Sequence, residues 1–202
     1  MAIRRIILFL ALLTTAVGAV AQSKWAYIKG TSVNLRAEPN TSSAILGKVS
    51  SGDFLYIDQN YPIGEWVRLE IQDADEEGPY SYFPYIKSDF IRVLNADEFP
   101  SEKINSTFSF DIPHKNHSTY GFLTFNRCGE NEVECNIMVK NSELQESGGN
   151  GIIDNRSFIV NYEDGCLRQP DEIVNFWGPE CCVYDSASGL LYYAGYLWEE
   201  EK

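Results

Sequence analysis

Short runs in which apolar and polar residues alternate dominate the chain, and turn-forming residues interrupt them every few positions. In Val33–Arg36 and in Glu65–Ile71 the apolar side chains recur at every second position, which is the period of a strand with one buried face. Residues 141–147 form the one segment that suggests a helical turn. We therefore predict an all-β protein.

The first part of the chain is predicted to form one small β unit. Five or six short strands lie between residues 24 and 94, separated by the polar, Pro-containing segment Glu38–Ser43 and by the tight turn Ser50–Asp53. About that many strands in roughly 70 residues are enough for a small barrel or sandwich.

A second β unit is predicted for residues 105–202, after a polar, Pro-containing linker at residues 95–104. This prediction rests on a series of β-rich runs, which are separated by Gly, Asn, Asp and Pro. These runs are Thr107–Ile112, Tyr120–Phe125, Val133–Val139, Ser157–Tyr162, Ile173–Trp177, Cys182–Tyr184 and Leu190–Trp198. The predicted fold is therefore a small barrel followed by a second, disulfide-containing β sandwich or barrel.

The N-terminus has the pattern of a secretory signal peptide. Arg4 and Arg5 precede the apolar run Ile6–Leu13, and Ala19 and Ala21 form a small-x-small cleavage site. A membrane anchor is disfavoured, because it needs about 17 to 25 apolar residues. We expect residues 1–21 to be removed, which makes the mature chain periplasmic or secreted, without a membrane span.

The acidic charge narrows the classes of partner. The chain has a formal net charge of −13, so the phosphates of nucleic acids and of anionic lipids are repelled. We therefore expect no nucleic-acid partner. The sequence indicates no cofactor, and it leaves the oligomeric state open.

All five cysteines lie in the second half of the chain, and in an exported protein they are first interpreted as disulfides. A hairpin centred between Asn131 and Glu132 would place Cys128 opposite Cys135, so we predict that bridge. Cys166 then pairs with either of the adjacent cysteines, Cys181 or Cys182, and spacing does not decide between them. We take Cys181 as the candidate partner. The odd count leaves one thiol over.

Metal and catalytic sites are weakly indicated. His114 and His117 with Cys128 and Cys135 have the ligand types of a zinc site, but export argues against free thiolates and the spacing fits no common finger. The acidic run Asp73–Glu77 lacks the glycine-centred spacing of a calcium loop. With two histidines in the whole chain, general bases are scarce. We expect no metal, no catalytic residues and no enzyme activity.

The order of short motifs in the first unit resembles the bacterial SH3-like (SH3b) domain. The motifs on which this resemblance rests are VNLRAEPNTSSAILGKVSSGDFLYI, EWVRLEI and YIKSDFIRVL, within residues 26–94. The resemblance implies an SH3-like barrel that binds cell-wall peptides or proteins. Two departures alter its ligand-binding face: the acidic insertion Gln72–Pro79 replaces a short Asp-Gly turn, and Tyr85 occupies the place of the usual Trp.

Aromatic residues are the candidate ligand-binding residues of this unit. Rigid rings provide contact area at little entropic cost, and the candidates are Tyr61, Trp66, Tyr82, Phe83 and Tyr85. The alternative is that these rings, Trp66 above all, pack the barrel interior. Arg36 is expected to be structural, pairing with a backbone carbonyl or an acid at the base of its loop.

The segment Ser186–Tyr192 resembles the Ser loop of periplasmic inhibitors of c-type lysozyme, although it also has the composition of an ordinary hairpin turn. The sequence thus favours an exported, non-catalytic binding protein of the bacterial cell envelope, with a cell-wall peptide or envelope protein as partner. The alternative is an inhibitor of a lysozyme-like hydrolase that acts through the second unit. An envelope hydrolase is disfavoured.

Overall fold

The computed structural model describes residues 23–75, 78–113, 118–169 and 179–201. It is nearly all β, with 58% strand, 7% helix and two sheets, so the predicted all-β class is confirmed. Three predicted features lie outside the described residues: the signal peptide, the histidine turn at 114–117 and the strand Ile173–Trp177. Among the described residues, no helix has the length and apolar character needed to cross a membrane.

Eight strands from the first part of the chain form one antiparallel sheet. They are β1 (Lys24–Ile28), β2 (Val33–Arg36), β3 (Ile45–Val49), β4 (Phe54–Ile57), β5 (Trp66–Asp75), β6 (Gly78–Tyr82), β7 (Tyr85–Lys87) and β8 (Ile91–Asn95), and the 3₁₀ helix Ser88–Phe90 precedes β8. The strand order is β3-β2-β7-β5-β4-β1-β8, and β6 pairs with β5 outside this path.

The core under this sheet is aliphatic, and the predicted alternation explains its composition. Val33 and Leu35 of β2, like Val67 and Leu69 of β5, are buried while their neighbours face outward. The buried cluster consists of Ala26, Ile28, Val33, Leu35, Val49, Ile57, Val67, Leu69, Ile86 and Ile91. Because none of these described core residues is aromatic, the rings near the first sheet lie outside this core.

The second sheet also has eight antiparallel strands. They are β9 (Thr107–Pro113), β10 (Ser118–Arg127), β11 (Glu132–Asn141), β12 (Ile152–Glu163), β13 (Cys166–Leu167), β14 (Val183–Asp185), β15 (Leu190–Tyr193) and β16 (Tyr196–Glu200), with the 3₁₀ helix Ser101–Lys103 before β9 and the short helix α1 (Ser142–Glu146) after β11. The order is β13-β12-β11-β10-β9-β16-β15-β14, so the last strand returns to pair with β9.

The second sheet curls until its two ends meet. Arg168, just after β13, forms a β-bridge with Cys181, and the amide of Cys182 donates to the carbonyl of Leu167 at 2.9 Å. The disulfide Cys166–Cys181 joins the same two segments across a sequence separation of 15 residues. Of the two alternatives for Cys166, the structure therefore has Cys181 as the partner.

Large side chains fill the inside of this curled sheet. Trp198, Tyr193 and Phe108 are fully buried there. Phe99 and Ile104, from the segment between the two sheets, belong to the same core at 0% and 3% exposure. The segment that the sequence marks as a polar linker is thus anchored by two apolar side chains.

The predicted disulfide between Cys128 and Cys135 is wrong, because both residues are free thiols. Arg127 pairs with Val133, so the β10–β11 hairpin is centred at Glu130, earlier than the predicted centre between Asn131 and Glu132. Cys128 consequently lies in the exposed turn, while Cys135 faces the core opposite Phe125. Cys182, next to the disulfide, is also free and buried.

Aromatic rings join the two sheets. Trp25 stacks on Phe54 with ring centroids 5.1 Å apart, and Phe54 stacks on Tyr192 with centroids 3.7 Å apart. Beside them, the amide of Asp97 donates to the carbonyl of Tyr184 at 2.8 Å. A buried cluster that includes residues of both sheets surrounds this stack, so each half covers apolar surface of the other.

Candidate functional site

The candidate site is built on an ion pair between Arg68 and Asp58. Arg68 projects from the outer face of β5, between the buried Val67 and Leu69. Asp58 follows β4 directly, is 2% exposed and accepts a hydrogen bond from Arg68 Nε at 2.5 Å. A carboxylate that is removed from water needs such partners, because burial otherwise penalises its charge. The pair therefore fixes the guanidinium in one position.

Three of the predicted aromatic residues surround this guanidinium. Arg68 Cζ lies 5.1 Å from the centroid of the Tyr61 ring and 5.2 Å from that of Phe83, within the range of cation–π attraction. Tyr85 packs edge-on against Tyr61 with centroids 5.3 Å apart. We call Tyr61, Arg68, Phe83 and Tyr85 the Arg68 platform. Phe83 is 43% exposed, so part of its ring is available to a ligand.

The charges of the ion pair are stabilised in the folded protein. Burial alone would raise the pKa of Asp58, but hydrogen bonds from the Asn60 amide and from Arg68 outweigh it, and the pKa lies below its usual value. The hydrogen bond to Asp58 is also the main reason that the pKa of Arg68 is raised, with a smaller contribution from Tyr85. Both groups are therefore charged at neutral pH.

A groove adjoins the platform on the side of the segment after β4. Its volume is about 530 Å³, and Lys24, Asp58, Tyr61 and Ile63 are among the residues that line it. Tyr61 lines this groove and is also part of the Arg68 platform. Asp58 lines the groove and also holds Arg68 in position. Grooves of roughly 300 to 1,000 Å³ with apolar walls and a few polar groups accommodate small ligands or peptide side chains.

Trp66 and Tyr82 do not join the platform. Trp66 is half-buried and lines a separate hollow of about 230 Å³ with Lys87 and Phe90 among its neighbours. Tyr82 lies on β6, where its ring centroid is 6.3 Å from that of Tyr80. The structure thus brings together Tyr61, Phe83 and Tyr85 and leaves the other two candidates elsewhere on the first sheet.

The central ion pair was not among the predicted site residues. The alternation in β5 indicates that Arg68 faces outward, but its partner lies ten positions away across the β4–β5 connection, and no local pattern marks Asp58. Arg36, in contrast, has the predicted structural role, because its Nη1 donates to the carbonyl of Ser43 at 2.9 Å.

The turn that resembles a lysozyme-inhibitor loop lies between β14 and β15. Its tip, Ser186–Ser188, is exposed, and the amide of Ser186 donates to Asp97 at 2.6 Å. Tyr192, at the end of the resembling segment, is only 8% exposed because it packs against Phe54. That tyrosine is therefore inaccessible to an enzyme cleft.

Metal ligation finds no support in the part of the chain that the structure describes. No group of three or more His, Cys, Asp or Glu side chains lies close enough there to hold a metal ion. The predicted histidine turn, residues 114–117, is outside this part.

Comparisons with protein-family models, with curated proteins and with solved structures return no match for this chain.

Proposed function

We propose that the protein is an exported, non-catalytic binding protein of the bacterial cell envelope. Its first sheet would act as an SH3b-type module that engages a cell-wall peptide or an envelope protein through the Arg68 platform. The proposal of export rests on the N-terminal sequence pattern. The proposal of an SH3b-type module rests on the order of motifs within residues 26–94. The observation that carries the binding site is the guanidinium of Arg68, held between Tyr61 and Phe83 by Asp58.

The platform has the chemistry of a peptide-binding surface. Arg68 has five N–H donors, and Asp58 uses the Nε donor and one terminal nitrogen. Tyr85 also hydrogen-bonds to the guanidinium, and the donors that remain suit a peptide carbonyl or carboxylate oxygen. The exposed ring of Phe83 offers an apolar contact beside it.

Preorganisation is the main physical argument for binding. The ion pair to a buried carboxylate and the two flanking rings restrict the rotamers of Arg68 before any ligand arrives. A side chain that is already ordered loses less conformational entropy when it binds, and that loss otherwise costs about 0.5 to 1.5 kcal/mol per flexible side chain. Tyr and Phe rings have few rotatable bonds, so the same reasoning applies to Tyr61 and Phe83.

A sedimentation experiment tests the proposal. The mature chain is mixed with purified, insoluble peptidoglycan, and the pelleted fraction is measured against albumin as a non-binding control. We expect the protein to sediment in a saturable manner. If it stays in the supernatant as albumin does, the version of the proposal with a cell-wall ligand is wrong.

A further inference from the structure

A second groove lies where the two sheets meet. Its volume is about 570 Å³, and its walls include Tyr27 of β1 and residues of the second sheet. Aromatic and aliphatic side chains such as Tyr120, Phe122 and Leu197 line it together with the carboxylates of Asp111 and Glu199. We call it the interdomain groove. It shares no lining residue with the groove beside the Arg68 platform.

The strand register places acids and rings side by side in this groove. Ser109 of β9 pairs with Glu199 on one side and with Phe122 on the other. In the next outward-facing position of β9, Asp111 pairs with Tyr120. Side chains two positions apart on a strand share one face, so these residues form a continuous strip on the outer face of the sheet.

Apolar surface remains exposed along this strip. Phe122 is 41% exposed and Met138, its partner on β11, is 36% exposed. The ring of Phe122 packs edge-on against Tyr120 with centroids 6.2 Å apart. Neighbouring exposed apolar side chains on a strand face mark candidate interaction surfaces.

The charge of the groove has one sign. No lysine or arginine lines it, and Asp111 and Glu199 have no ion-pair or hydrogen-bonding side-chain partner within the described ranges. Arg92, which pairs with Tyr27 across β1 and β8, lies beside the groove and lines a neighbouring hollow with Glu199. The whole chain adds to this field, since its 29 acidic residues exceed its 16 basic ones. A cation near the two carboxylates is attracted by both and also by the faces of the Tyr120 and Phe122 rings.

We propose that the interdomain groove binds a basic, amphipathic peptide segment of a partner protein. Lys or Arg side chains of that segment pair with Asp111 and Glu199, and its apolar side chains cover Phe122 and Leu197. Charge complementarity selects this occupant: an acidic or a neutral apolar segment would leave both carboxylates partly desolvated without a counter-charge. The site is independent of the Arg68 platform, with which it shares no residue.

Fluorescence anisotropy of a labelled peptide tests this proposal. The probe is a short peptide of alternating Lys and Leu, and the control probe has Glu in place of each Lys. We expect the full mature chain to bind the basic probe and not the acidic one. Binding should weaken when salt rises from about 50 to about 500 mM, because screening reduces exposed ion pairs. Equal binding of both probes would overturn the proposal.

Variants locate the binding in the groove. We expect the double variant Asp111→Asn/Glu199→Gln to lose about ten-fold in affinity and Phe122→Ala to lose about five-fold. The matched controls are Glu163→Gln and Ile159→Ala, two exposed residues of β12, and they should bind as the unmodified chain does. Unchanged affinity of the double variant would contradict the proposal. Displacement of the basic probe by equimolar spermidine would show a site for small cations rather than for a peptide.

Discussion

The rings of Phe54 and Tyr192 stack with centroids 3.7 Å apart and planes 5° from parallel. One ring comes from β4 of the first sheet and the other from β15 of the second, and each residue is 8% exposed. The contact therefore buries apolar surface that either half alone would present to water. We expect the two halves to unfold as a coupled unit because of this shared surface.

The stack predicts a measurable coupling between the two sheets. Phe54→Ala and Tyr192→Ala should each lower the free energy of unfolding by about 3 to 5 kcal/mol, as buried aromatic truncations do. In a double-mutant cycle, the interaction energy should be about 0.5 to 1.5 kcal/mol. Urea denaturation of the four proteins measures it, with the exposed Tyr80→Ala as the control. If the effects of the two substitutions on the free energy of unfolding are strictly additive, the two rings do not interact.

Loss of the buried carboxylate under the platform should destabilise the first sheet. Asp58→Ala leaves the guanidinium of Arg68 without its counter-charge, and we expect a loss of about 2 kcal/mol in the free energy of unfolding. The exposed Asp89→Ala is the matched control, and its effect should stay below about 0.5 kcal/mol. Equal effects of the two substitutions would contradict the assigned role of Asp58.

The same ion pair predicts a pH dependence of stability. The pKa of Asp58 is lowered in the folded protein, whereas in the unfolded chain it is about 3.9. The contribution of Asp58 is therefore fully present above about pH 4 and is lost as the pH falls through the lower folded pKa. The stability difference between the unmodified protein and Asp58→Asn should shrink below pH 4. A difference that stays constant down to acid unfolding would refute this linkage.

Thiol reactivity should distinguish the three free cysteines. Cys128 is exposed, whereas burial raises the pKa of Cys135 and of Cys182 to about 12, and the thiolate is the reactive form. Titration with Ellman's reagent at pH 8 should detect one thiol in the folded protein and three after denaturation without reductant. One thiol under denaturing conditions would instead support two disulfides.

The single disulfide should contribute through the loop that it closes. Cys166 and Cys181 are 15 residues apart, and a loop of that length corresponds to about 3 kcal/mol in the chain-entropy account. We expect Cys166→Ser/Cys181→Ser to lose about that much in the free energy of unfolding, while Cys128→Ser, in the exposed turn, changes it little. Thermal melts of both variants, with and without reductant, check this. If reductant leaves the melting temperature of the unmodified protein unchanged, the disulfide does not stabilise the fold.

Predictions from the sequence are correct where a local pattern determines the structure. Alternation at Val33–Arg36 and Glu65–Ile71 reports which residues face the core, because strand geometry forces that alternation. Predictions from the sequence are wrong or incomplete where the structure depends on partners that are distant along the chain. The Cys128–Cys135 prediction assumed a turn centre, and a shift of that centre changes every cross-strand pair. Likewise, aromatic composition did not separate Trp66 from the platform rings, since it is the pairing of β5 with β7 that places Tyr85 opposite Arg68 and Lys87 opposite Trp66.

The most direct test of the Arg68 platform is a binding isotherm on insoluble peptidoglycan with two matched variants. Phe83 and Phe90 are 43% and 44% exposed, but only Phe83 contacts Arg68, while Phe90 lies beside Trp66. The proposal predicts that Phe83→Ala weakens binding about ten-fold and that Phe90→Ala leaves it unchanged. Unchanged binding of Phe83→Ala, or a loss confined to Phe90→Ala, would contradict the platform as the binding site.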